Sequence, residues 1–139
     1  MASNSAISQA VRTVAPARDD AYGSEVKFVN GVAVIDSSTI EEAVRTLLDA
    51  APSGSEVILF GSYARGTARD DSDLDFLVVE PALRSRRAEM VRLRQTLRPL
   101  RIPVDVLVVS RAVFEAWKDL PNNVIHQAAR EGKVFTRAA

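Results

Sequence analysis

The sequence predicts an α/β (α+β) fold, a small mixed β-sheet flanked by helices in a single domain. Three observations carry that expectation. Short apolar runs rich in β-branched residues stand at Glu56 to Phe60, Leu74 to Val79 and Val104 to Val109, the composition and length of strands. Between them Ile40, Ala43, Val44, Leu47 and Leu48, then Leu83, Met90, Leu93 and Leu97, give apolar stripes with the periodicity of helices. Proline and glycine punctuate the joins at Pro52-Ser53-Gly54, Pro81, Pro99 and Pro103.

Taken in order, residues 1–24 are rich in Ala, Ser and Asp, with weak periodicity. They read as a flexible tail with room for one helical turn around Ile7 to Val14. Residues 25–139 form the single domain, and 25–36 add a β-hairpin to it. Two apolar segments there flank Asn30-Gly31, a dipeptide suited to a tight turn that needs positive φ twice. The first helix is capped by Ser38 or Thr39, with Glu41 or Glu42 completing a capping box. The second is expected from Ala82 to Leu97. Its outer positions carry Arg84, Arg86, Arg87, Arg92, Arg94 and Arg98. Ser110 can cap a short helix in which Phe114 and Trp117 pack inward. Pro121 suits the first turn of a last helix through Ala129, Gly132 its C-terminal cap, and Val134-Phe135 a final strand.

Composition narrows the chemistry. The 139 residues carry formal net charge +0 with 47% hydrophobic and 26% charged residues, which suits a folded domain and gives no bulk charge to attract nucleic acid. Direct nucleic-acid binding is therefore not expected. No stretch suits a signal peptide or a bilayer span, so no membrane association is expected and a cytoplasmic location is the default. There is no cysteine and one histidine, His126. A metal, if bound, must be held by oxygen, which favours magnesium, manganese or calcium.

The candidate site lies in Leu59 to Val79, L-F-G-S-Y-A-R-G-T-A-R-D-D-S-D-L-D-F-L-V-V. Asp73 and Asp75 are two apart and share one side of an extended chain, while Leu74, Phe76 and Val78 take the other. Asp71 and Asp73 form a second such pair, but the apolar run starting at Leu74 favours Asp73 and Asp75. Two carboxylates heading an apolar strand are costly unless a cation lies between them. Asp105, the one charge in V-D-V-L-V-V, can join them if its strand lies beside theirs. Three such donors suit a magnesium pair about 3.5–4 Å apart. Gly61-Ser62 follows a strand directly, where a glycine lets backbone N–H groups approach a phosphate. Arg65 and Arg69 in the same loop can neutralise a polyphosphate. Taken singly, each of these residues also has an ordinary structural explanation: a turn, a strand start, a solvated arginine. Tyr63 can stack on a base or pack, and His126 on its helix is structural.

Gly61-Ser62, ten residues, then Asp73-Leu74-Asp75, with Asp105 following, resembles the signature of the DNA-polymerase-β-like nucleotidyltransferases. Within that superfamily the chain is similar to the minimal nucleotidyltransferases, the MNT-type antitoxins of HEPN/MNT toxin–antitoxin pairs. The later I-H-Q-A-A-R-E-G-K-V-F adds to the likeness, which spans roughly residues 39 to 136. The resemblance implies the polymerase-β-like fold and a magnesium-dependent transferase. Gly61 and Ser62 would hold the triphosphate, with Arg65 and Arg69 nearby. Asp73, Asp75 and Asp105 would bind two Mg2+ ions. ATP would be the substrate and a tyrosine of a partner HEPN-type toxin the acceptor. Two other expectations stand beside it: transfer to a small hydroxylated molecule, or a non-catalytic module that covers a partner through the arginine-rich helix.

Overall fold

The computed structural model describes the backbone of residues 26–29 and 32–137, and side chains from Ile35 onward. The expected tail with its turn near Ile7, and the Asn30-Gly31 turn, lie outside the described residues. The hairpin strands β1 (Val26–Val29) and β2 (Val32–Ile35) are paired antiparallel, Val26 opposite Ile35. The main sheet has the order β5-β4-β3-β6, built from β3 (Glu56–Phe60), β4 (Leu74–Glu80), β5 (Val104–Ser110) and β6 (Lys133–Thr136). β3 runs antiparallel to β4 and β6, whereas β4 and β5 are parallel. The expected α/β architecture with a mixed sheet is what the chain adopts.

Helices cover both faces of this sheet. On one face α1 (Ser37–Ala50) and α3 (Arg86–Thr96) enclose Val57, Leu59, Leu74, Phe76, Val78, Val106 and Val108, all buried. On the other, α4 (Arg111–Trp117) and α5 (Val124–Glu131) bury Ile58, Phe60, Leu77, Val79 and Val109 against Phe114, Ile125 and Ala128. Strand alternation sends successive side chains into the two layers in turn. Asp75 and Asp105 therefore belong to the face of α4 and α5. Among the described residues no helix is long and apolar enough to cross a membrane.

Four local expectations are corrected. The cap of α1 is Asp36, whose Oδ1 accepts from the Thr39 N–H at 2.9 Å and from the Ser38 hydroxyl at 3.1 Å. Asp36, Ser37, Ser38 and Thr39 can all cap, and Asp36 does because its backbone is extended (φ −82°, ψ 168°) while the other three are already helical. α3 starts at Arg86 rather than Ala82, because Ser85 is extended and accepts from the Ala88 N–H. The last helix starts at Val124, after Pro121, because Asn123 caps it by accepting from the His126 N–H at 2.9 Å. Trp117 does not pack inward beside Phe114: it is 48% exposed while Phe114 is 8% exposed.

Candidate active site

Between β3 and β4 the chain makes a one-turn helix, α2 (Ser62–Arg65). Gly61 precedes it at φ 82° and ψ −158°, a conformation that glycine alone adopts readily. The same glycine is required a second time by space. Phe60 is the register partner of Asp75, and a Cβ on Gly61 would overlap the Asp75 carboxylate. Behind the turn, the Ala64 and Arg65 N–H groups donate to the Gly61 carbonyl at 3.0 and 3.1 Å. Ser62 and Tyr63 supply the first N–H groups of α2, which no helix can satisfy from within.

Asp75 sits one residue inside β4 and is half-buried; Asp73 is exposed just before the strand. Asp105 is the direct register partner of Asp75 in parallel β5. The register is fixed at its head by the Leu74 N–H donating to the Pro103 carbonyl at 2.9 Å. In-register residues of parallel neighbours project to the same face, so these carboxylates share one edge of the sheet. Burial first, then the Asp105 and Asp73 charges, push the Asp75 carboxyl above its ordinary range; Glu131 adds to this and Arg65 opposes it.

The side chains stop short of a closed cage. Among the described residues no group of three or more acidic, histidine or cysteine side chains is gathered tightly enough to hold a metal. The Asp105 side chain is 55% exposed and faces Arg94 of α3, Nη2 to Oδ1 3.6 Å. The backbone thus aligns Asp75 with Asp105, while the Asp105 side chain meets Arg94.

The loop arginines separate. Arg69 is exposed, with its backbone N–H on the Ser72 hydroxyl at 2.8 Å. Arg65 instead meets Glu131, at the end of α5, with Nη1 3.0 Å from Oε2. The same Oε2 accepts the Gly61 N–H at 2.8 Å and a Gln127 N–H at 2.9 Å. Burial raises the Glu131 carboxyl, but the bonds from Gln127, Gly61 and Arg65 outweigh it and hold the group below its usual range. Sequence reasoning missed Glu131: it lies 70 residues from Gly61, and nothing local to it signals the contact. Tyr63 is used in packing; its hydroxyl accepts the Ile35 N–H at 3.0 Å and its ring lies against the α1 layer.

A family model described as the nucleotidyltransferase domain matches residues 37–131. The chain belongs to that family. It is a nucleotidyltransferase-domain protein of the DNA-polymerase-β-like superfamily, and the matched region runs from the first residue of α1 to the last of α5. Both Gly61 and the three aspartates fall inside it. No curated protein matches the chain. Nucleotidyl transfer is accordingly the chemistry to set against the geometry.

Proposed function

We propose that this nucleotidyltransferase-domain protein transfers AMP from ATP to a tyrosine hydroxyl of a HEPN-type partner toxin, and that it acts as the antitoxin of that pair. The observation that carries the reaction class is the alignment of Asp75 with Asp105 across β4 and β5, beside the Gly61 turn. The donor set fits a hard divalent cation. It is all oxygen, and burial, then the Asp105 and Asp73 charges, already disfavour the Asp75 carboxylate without a cation. Asp73, Asp75 and Asp105 would hold magnesium, which supplies charge neutralisation at the α-phosphate and at the departing pyrophosphate.

The chain's own residues do the rest. The Ser62 hydroxyl and the leading N–H groups of α2 hold the β- and γ-phosphates, and Arg69 lies free in the adjoining loop to neutralise them. Arg65 acts through its field, which already reaches Asp75. Asp105 accepts the proton of the acceptor hydroxyl. The freed oxygen forms its bond to the α-phosphorus in line as the bond to pyrophosphate breaks. Asp105 stands open to solvent on its outer side, so a group carried on another protein can reach it. The sequence likeness to MNT antitoxins supports the choice of a protein acceptor.

The test is direct. Purified protein, Mg2+, ATP labelled at the α-phosphate and the HEPN-type protein encoded beside it are combined, and labelled tyrosine is mapped. Label on the partner that vanishes with Asp73→Asn is expected. Equal labelling with and without that substitution, or none from wild type, contradicts the proposal.

A further inference from the structure

The Glu131 carboxylate occupies a special place. It reaches from the end of α5 to a buried backbone N–H in the turn that the proposed function gives to the triphosphate. Three features hold it there. A Cβ on Gly132 would overlap Ile58 and the Ala128 carbonyl, so the chain after Glu131 lies flush on β3 as only glycine allows. The Gly132 N–H still closes the helix on the Ala128 carbonyl at 2.9 Å. Lys133 then pairs with Leu59, two residues before the turn. The carboxylate is further gripped by Gln127 and Arg65.

The ion pair alone explains this arrangement poorly. The Arg65 and Glu131 side chains are 46% and 22% exposed, and exposed ion pairs contribute about 0–1 kcal/mol. What the carboxylate does uniquely is satisfy the Gly61 N–H at 2.8 Å, at a glycine held at φ 82°. Removing that acceptor frees the peptide before Gly61 to rotate, and rotation there re-aims the N–H groups and hydroxyl of Ser62.

We propose that Glu131 is a positioning residue for nucleotide binding: it locks the Gly61 peptide so that the start of α2 faces the triphosphate, and it couples α5 and β6 to the active site. In this arrangement Arg65 is a strut for Glu131 rather than a phosphate ligand. The inference rests on the nucleotidyl-transfer reading above.

The experiment compares KM for ATP and kcat in the labelling reaction for wild type, Glu131→Ala, Glu131→Gln and Gln127→Ala. Glu131→Ala is expected to raise KM for ATP about tenfold or more, the scale of a lost charged hydrogen bond, with a much smaller change in kcat. Glu131→Gln keeps an acceptor for the Gly61 N–H and recovers most of the loss. Gln127→Ala raises KM severalfold, and carries the test if the alanine chain at 131 fails to fold. An unchanged KM in the folded variants overturns the proposal. So does a lowered KM, which would mean the carboxylate competes with phosphate. Absence of turnover by wild type itself overturns the transfer reading and the proposal together, whereas active wild type with indifferent variants overturns the role of Glu131 alone.

Discussion

Asp75 and Asp105 are direct register partners in adjacent parallel strands, although 30 positions separate them in the chain. The spacing is produced by a strand, the α3 crossover and a second strand, all packed through apolar side chains that have no part in chemistry. Asp75 is crowded by Asp73, Asp105 and Glu131 and opposed only by Arg65. This electrostatic arrangement is poor for stability and suited to gripping a cation.

Activity and stability should therefore move in opposite directions at Asp75. Asp75→Asn is expected to reduce transfer by at least about a hundredfold. The same substitution should leave the melting temperature equal or raise it, since a half-buried like charge is removed. Thermal melts without metal, beside the labelling assay, check both. A clear loss of stability would show that the charge is compensated in the apo protein.

Gly61 and Gly66 make a controlled pair. Both have positive φ, 82° and 80°, but a Cβ on Gly61 meets the Asp75 carboxylate and one on Gly66 meets nothing within 4 Å. Gly66→Ala should cost about 1 kcal/mol, the backbone term alone. Gly61→Ala should cost clearly more and abolish transfer. Urea denaturation of the two variants measures the difference, and equal costs would contradict the packing of Gly61 on Asp75.

Glu80 and Glu89 set a pH dependence away from the site. Glu80 ends β4 at 2% exposure, with Oε2 lacking a hydrogen-bond partner. Burial, then the Glu89 carboxyl, pushes it from 4.5 up to about 8, with Arg92 opposing. Bonds from Arg92 and Glu80 draw Glu89 down to about 2. The folded pair thus keeps one proton over a range where the unfolded chain keeps none. Stability from this pair rises with pH from about 2 to 4.5, because only the unfolded chain holds the Glu89 proton there. It falls from 4.5 to about 8, because only the folded chain holds the Glu80 proton. Glu80→Gln mimics the protonated acid and should lose the falling limb, so that its stability relative to wild type grows between pH 5 and 8. Denaturation across that range tests it, and a constant difference would remove the shared proton.

At the head of α1, Asp36→Ala should cost about 1 kcal/mol, the usual loss at an N-cap, whereas Ser38→Ala should cost a few tenths. Chemical denaturation separates them. The reverse order would restore Ser38 as the cap.

The strands were legible because their apolar runs are short and bounded by glycine, proline or charge. Glu56–Phe60 was read with the bounds it has, and Leu74 and Val104 were both found as strand starts. The side-by-side placement of Asp75 and Asp105 was legible for a related reason: a carboxylate inside an apolar run stands out against its strand neighbours. Helix starts were less so, since runs such as Asp36 to Thr39 offer several equivalent caps and the point where the backbone turns helical selects among them. Pro121 misled in that way, because Asn123 two residues on can cap and does. Trp117 misled because hydrophobicity alone does not say which face of a short helix meets the sheet. Glu131 was invisible because its partners, Gly61 and Arg65, come to it only once α5 and β6 have packed on β3.

Metal binding tests the paired-carboxylate site most directly. Mn2+ is titrated, with a non-hydrolysable ATP analogue present, into wild type, Asp75→Asn and Asp105→Asn, and bound ions are counted by electron paramagnetic resonance. Wild type should bind a pair of ions, Asp105→Asn should lose or greatly weaken one of them, and Asp75→Asn should lose both. Equal binding by wild type and both variants would contradict the account.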